Sequence, residues 1–114
     1  MFTIDHYSEQ ILLVHFTDEQ KRLTILNAEK LKSEINEQID MGAQNIVIDF
    51  GKIAFIDSSG FGAMVTIFNH ARNHHSRLIF CNLRPETQSL LKITKLDQVF
   101  EIYQDAKLAL DVLL

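Results

Sequence analysis

Asp57-Ser58-Ser59-Gly60 places one carboxylate, two hydroxyls and a glycine side by side, just ahead of apolar residues at helical spacing, Phe61, Met64, Val65 and Phe68. At the mouth of a helix the leading backbone N–H groups lack intrahelical partners and carry the positive end of the dipole, so an oxyanion is stabilised there. The same residue types are also ordinary helix caps, and glycine permits a tight entry, so spacing alone leaves both readings open. A phosphate-cradling G-x-x-x-x-G-K-[ST] loop is excluded, because the segment has neither that glycine spacing nor the lysine. A nucleophile elbow, G-x-S-x-G, fails as well: Ser58 lacks the preceding glycine, and His70 and His74 lie roughly 18 to 24 Å further along the same helix. A hydrolase triad is therefore not expected.

His70 and His74 are four positions apart with His75 beside them, the spacing at which two imidazoles share a helix face. No Glu follows in an H-E-x-x-H pattern and no cysteine pair assists. The group reads as a solvated helix end, where histidine also suits the dipole, and no metal or other cofactor is expected. Cys81 has no resolving cysteine and follows the apolar Leu78-Ile79-Phe80, so it reads as a buried, unreactive thiol in a reducing compartment.

The elements that must position these residues follow from periodicity. Phe2-Thr3-Ile4 and Ile11 to Phe16 read as two opening strands, a hairpin turning at Ser8-Glu9-Gln10. Thr17 to Lys21 is a polar loop and Arg22 to Ile25 a short extended piece. Ala28, Leu31, Ile35 and Ile39, spaced three and four apart, predict a helix with one buried stripe, Asn27 as its cap and Gly42 as its stop. Ile46-Val47-Ile48, without alternation, suits a central strand covered on both faces. Phe50 to Asp57 reads as a loop, and the second helix runs from the serines to His74. Arg77 to Cys81 is a strand, Pro85 to Thr94 a helix with proline in its first turn, Val99 to Tyr103 a last strand and Asp105 to Leu113 a closing helix.

The order from Asn45 onward is βαβαβα, which implies parallel neighbours, with the hairpin as an antiparallel edge to a mixed sheet. In such folds the functional surface lies where loops leave the carboxyl ends of strands, which points to Ile53 to Gly60. The 114 residues fit one domain over positions 1–114, and 46% hydrophobic with 23% charged residues is a globular balance. The net charge of −4, with scattered basic residues, argues against a nucleic-acid partner. No apolar run approaches the roughly 18 residues of a membrane span and no secretory signal is apparent, so a cytoplasmic protein without direct membrane insertion is expected.

Asn45-Ile46-Val47-Ile48-Asp49-Phe50 followed by Ile53-Ala54-Phe55-Ile56-Asp57-Ser58-Ser59-Gly60-Phe61-Gly62 resembles the core of the STAS domain of bacterial anti-sigma-factor antagonists. The likeness continues through Leu78 to Leu83 and Leu90 to Leu96, and covers roughly residues 27 to 104. It implies a STAS α/β fold with about four helices on the mixed sheet, and a binding protein with no enzymatic activity of its own. The unmodified domain would dock on a serine kinase and anti-sigma factor with a histidine-kinase-like ATP fold. Phosphorylation of Ser58, the serine after the aspartate, would release that kinase, and a metal-dependent serine/threonine phosphatase would reverse the step. Asp57, Ser59 and Gly60 would shape the loop and contact the kinase together with Ser58, with Phe61 and Thr24 completing the partner surface. The family commonly has a Gly and an Asp in the turn before its first helix, whereas Lys21-Arg22-Leu23-Thr24 has neither, Thr24 standing where the Asp is expected. The alternative is a constitutive STAS scaffold in a stressosome-like or lipid-transport complex, which needs the fold but no phosphate.

Overall fold

The computed structural model describes residues 2–17 and 21–114. Five strands form the main sheet: β1 (Phe2–Ser8), β2 (Ile11–Phe16), β4 (Asn45–Asp49), β6 (Arg77–Cys81) and β7 (Glu101–Tyr103), in the spatial order β1-β2-β4-β6-β7. β1 and β2 are antiparallel and every other pair is parallel, so the sheet is mixed with the hairpin at one edge. β1 extends further than its weak alternation suggests, reaching Ser8 with an irregularity in register between His6 and Ser8. A separate two-stranded parallel sheet joins β3 (Arg22–Leu23) to β5 (Phe55–Ile56). The helices are α1 (Ala28–Asp40), α2 (Ser58–Asn73), α3 (Pro85–Ile93) and α4 (Ala106–Leu113), with a 3-10 turn at Leu96–Gln98.

The unbroken apolar run of β4 has a direct consequence. Ile46 and Ile48 point into the larger core with Leu31, Ile35, Met64 and Ile67 of α1 and α2, while Val47 points to the opposite face against Ile79, Cys81 and Ala109 of α4. Strand alternation sends consecutive side chains to opposite faces, so a strand covered on both sides must be apolar throughout. Phe100 fills the larger core against Phe68 and Phe80, with ring centroids 4.9 and 5.0 Å away. It is not part of a strand: β7 begins only at Glu101, because Lys95 turns left-handed (φ 63) into the 3-10 turn and the chain straightens later than the Val99 start expected from composition.

Asn27 stands at the N-cap position of α1 but makes no side-chain cap bond. Its Oδ1 instead accepts from the Thr24 amide (2.9 Å) and its Nδ2 donates to the Arg22 carbonyl (2.8 Å), while the Thr24 carbonyl accepts from the amides of Asn27 and Ala28. Gly42 follows the end of α1 at φ 97, a left-handed backbone suited to glycine. Burial among Val47, Ile79 and Ala109 pushes the Cys81 thiol up to about 12, with Asp49 and Asp105 adding to the shift, so almost none of it is thiolate near neutrality.

At the far edge of the sheet, Arg77 on β6 donates to both carboxylate oxygens of Glu101 on β7, from Nε at 2.8 Å and from a second guanidinium nitrogen, and Tyr103 adds a hydroxyl donor at 3.0 Å. The Arg77 hydrogen bonds hold the Glu101 carboxyl below its usual value against the opposing effect of burial. A depressed carboxylate stabilises the fold above its unfolded value of about 4.3 and loses that contribution as pH falls through the folded value. Between about pH 6 and pH 3 the wild type is therefore expected to lose more stability than Glu101→Gln. The difference is expected to stay under about 1 kcal/mol because Arg77 is well exposed, and denaturant unfolding at both pH values measures it.

Candidate functional site

The site forms where two short segments are tied together ahead of two helices. The amides of Ala54 and Phe55 both donate to the Lys21 carbonyl (2.7 and 3.2 Å), and the Asp57 amide donates to the Leu23 carbonyl (3.1 Å). Through β3 and β5, the entry to α1 and the entry to α2 are held as one unit.

Asp57 is the joint. It takes the N-cap position of α2 in extended geometry (φ −89, ψ −176), where its Oδ1 accepts from the Gly60 amide at 2.9 Å. Its Oδ2 accepts from the Ile25 amide at 3.1 Å, reaching across to the turn that opens α1. One carboxylate thus satisfies a leading amide of the helix and a loop amide 32 positions away in sequence. Removing it in Asp57→Ala is expected to cost about 1–3 kcal/mol, and Asp57→Asn, which keeps one acceptor, clearly less; chemical unfolding of the two variants checks the order.

Gly60 is buried, and a Cβ built on it falls 2.4 Å from the Leu23 carbonyl oxygen and 2.8 Å from Ile56 Cγ2. The residue is glycine so that α2 can approach the β3 backbone, and it shapes the site from beneath. Ser58 is the first residue of α2, is exposed, and its hydroxyl makes no hydrogen bond among the described residues. Ser59 is half-buried and lines a groove between α1 and α2 with Ile25, Glu29, Lys32, Gly62 and Thr66. Phe61 is half-buried and packs against the core. Thr24 is half-buried at the turn into α1, with its Oγ1 accepting from the Leu26 amide at 3.3 Å. The structure therefore brings Asp57, Ser58, Ser59, Gly60 and Thr24 into one neighbourhood, with Phe61 behind them.

Three residues of that neighbourhood were not singled out from sequence. Ile25, Leu26 and Phe55 are 72%, 90% and 48% exposed, large apolar side chains carried by the two segments, the turn into α1 and β5, that the Asp57 carboxylate and the β3–β5 pairing tie to the start of α2. The Arg22 guanidinium lies over the Phe55 ring, 5.1 Å from its centroid. A signal for the first two was present: Ile25 and Leu26 sit between turn-forming Thr24 and Asn27 and fall outside the Ala28, Leu31, Ile35, Ile39 stripe that α1 buries. Among the described residues no helix is long and apolar enough to cross a membrane.

Comparison with known proteins bears on the fold and the family. BtrV of Bordetella bronchiseptica, named as an anti-sigma factor antagonist, is 28% identical over 76 residues, which take in 67% of this chain and 66%, just under two thirds, of that protein. An anti-sigma-factor antagonist (STAS) domain protein from Planctomyces limnophilus shares the fold with a TM-score of 0.84 at 22% identity, covering 97% of this chain and 96% of that one. The Bacillus cell fate determinant SpoIIAA in its phosphorylated form shares it with a TM-score of 0.79 at 20% identity over 100% of both chains. The STAS domain family model matches residues 7–109, a stretch that runs from β1 into α4 and contains the whole Asp57 to Gly60 site, and the chain belongs to that family.

Proposed function

We propose that the protein is an anti-sigma-factor antagonist that works as a phosphorylation-controlled partner switch. With Ser58 unmodified it binds a serine kinase and anti-sigma factor of histidine-kinase-like ATP fold; with Ser58 phosphorylated it lets that partner go, and a metal-dependent serine/threonine phosphatase resets it. The carrying observation is the exposed Ser58 hydroxyl at the start of α2, without a hydrogen bond among the described residues, with the exposed Ile25, Leu26 and Phe55 on the segments tied to that helix entry. Such side chains give a partner apolar area to bury, and the exposed hydroxyl is open to a kinase. The names of the relatives support the reading, and SpoIIAA, a protein of the same fold, has structures in unphosphorylated and phosphorylated forms. The protein acts by binding, in the cytoplasm, and Asp57 and Gly60 serve by holding the loop while Ser58, Ser59, Phe61 and Thr24 border the contact.

A phosphate at this place leaves the fold intact. It adds about −1.5 to −2 charge, which a helix amino terminus favours by roughly 0.3–1 kcal/mol. The same charge pressed against an apolar partner costs several kcal/mol of binding. Incubation with the cognate kinase and ATP followed by mass spectrometry is expected to place one phosphate on Ser58 in a protein that still melts cooperatively. Phosphate on Ser59 or Thr66 with Ser58 bare would overturn the assignment, and so would a constitutive scaffold that takes no phosphate.

A further inference from the structure

Away from this surface, the carboxyl ends of α1 and α2 come together. Asp40, the last residue of α1, His70 on α2 and His74 at the C-cap of α2 each present one ligand-type atom, all within 4.8 Å of one another. We propose that Asp40, His70 and His74 form a binding site for a zinc-class divalent cation that clips α1 to α2.

The donor set is two imidazoles and one carboxylate, which suits Zn²⁺ with water in a fourth position and suits the oxygen-seeking Mg²⁺ and Ca²⁺ poorly. A tetrahedral ion with metal–ligand distances of 2.0–2.2 Å holds its donor atoms roughly 3.3–3.6 Å apart. His74 Nε2 already lies 3.5 Å from Asp40 Oδ1. His70 Nε2 lies 2.7 Å from the same oxygen, a hydrogen bond that must widen by under about 1 Å to admit the ion. The His74 ring is oriented in advance: its Nδ1–H donates to the His70 backbone carbonyl at 2.9 Å, which leaves the lone pair of a neutral ring on Nε2. On binding, the zinc–Nε2 bond of His70 replaces the N–H bond whose proton Asp40 accepts. A neutral His70 shifts that proton to Nδ1, and a protonated one releases a proton to solvent. The H-x-x-x-H spacing without a nearby Glu reads as a solvated helix end in the sequence, because the third ligand comes from α1, 30 positions upstream of His70.

Ser58 is twelve residues, or about 18 Å of helix, from His70, so this site stands or falls independently of the phosphorylation reading. The test is calorimetric titration of the untagged full chain, first freed of metal with a chelator, with zinc chloride and separately with magnesium chloride. One zinc ion per chain is expected, with no magnesium binding and a melting temperature that rises with zinc concentration. His74→Ala and Asp40→Asn, both at exposed positions, are each expected to weaken zinc by about 10–100-fold, while His75→Asn leaves it unchanged. Absence of zinc binding up to millimolar concentration would overturn the proposal. Affinity undiminished in His74→Ala would do so too, since the ion would then sit on other histidines such as His6 or His15.

Discussion

Gly60→Ala is expected to be the most damaging single-methyl change in the protein. The new Cβ would stand 2.4 Å from a backbone oxygen of Leu23, and a carbonyl held in the β3–β5 pairing has no rotamer by which to withdraw. Overpacking of this kind costs about 1–3 kcal/mol and more where backbone must move, so a loss of at least about 3 kcal/mol is expected, with a fall of roughly 10 °C or more in melting temperature. Trimming the neighbour in Leu23→Ala is not expected to rescue it, because the obstructing atom belongs to the main chain. Gly62, two residues further along α2, provides the control. Nothing lies within 4 Å of its virtual Cβ, so Gly62→Ala removes a helix-interior glycine and is expected to stabilise by about 0.5–1 kcal/mol. Thermal unfolding of the two variants side by side measures effects of opposite sign. Equal effects at the two positions would contradict the packing account of the site.

That contrast marks how far the sequence could be read. α1 and α2 were legible because each carries a hydrophobic period strong enough to declare its type, and β4 because its unbroken apolar run suits a strand covered on both faces; the βαβ order that follows predicts the mixed sheet with its antiparallel edge. Asp57 as a capping residue was legible in its residue type. Its second bond, to Ile25, was not, because the partner lies in another part of the chain and is found only once β3 and β5 pair. β5 itself, at two residues, is too short for any periodicity to reveal, which is why Phe50 to Asp57 reads as plain loop. Gly60 shows the same limit: its neighbours are legible in sequence, but its requirement for hydrogen in place of a methyl group comes from Leu23 and Ile56, which approach it only in the folded chain. The exposed apolar side chains were illegible for a related reason, since exposure of Ile25, Leu26 and Phe55 depends on what the fold leaves uncovered.

The second large effect concerns the switch. If the partner packs on the exposed apolar side chains with Ser58 unmodified, Ser58→Ala is expected to bind nearly as tightly as wild type, losing at most one hydrogen bond of about 1 kcal/mol, and to resist release. Phosphoserine at position 58 is expected to weaken the complex by several kcal/mol, on the order of a hundredfold or more, because a doubly charged group must be desolvated against apolar surface. Ser58→Asp carries about one charge and lacks the three phosphate oxygens, so its affinity is expected to fall between the two. The helix amino terminus welcomes all of these groups, so the differences belong to the interface and leave the unfolding transition in place. The decisive measurement is calorimetric titration of the cognate kinase with unmodified, Ser58→Ala, Ser58→Asp and Ser58-phosphorylated protein. Wild type and alanine are expected to bind tightly, aspartate more weakly and phosphoserine weakest, whereas equal affinity for all four forms would contradict the switch and leave a constitutive scaffold.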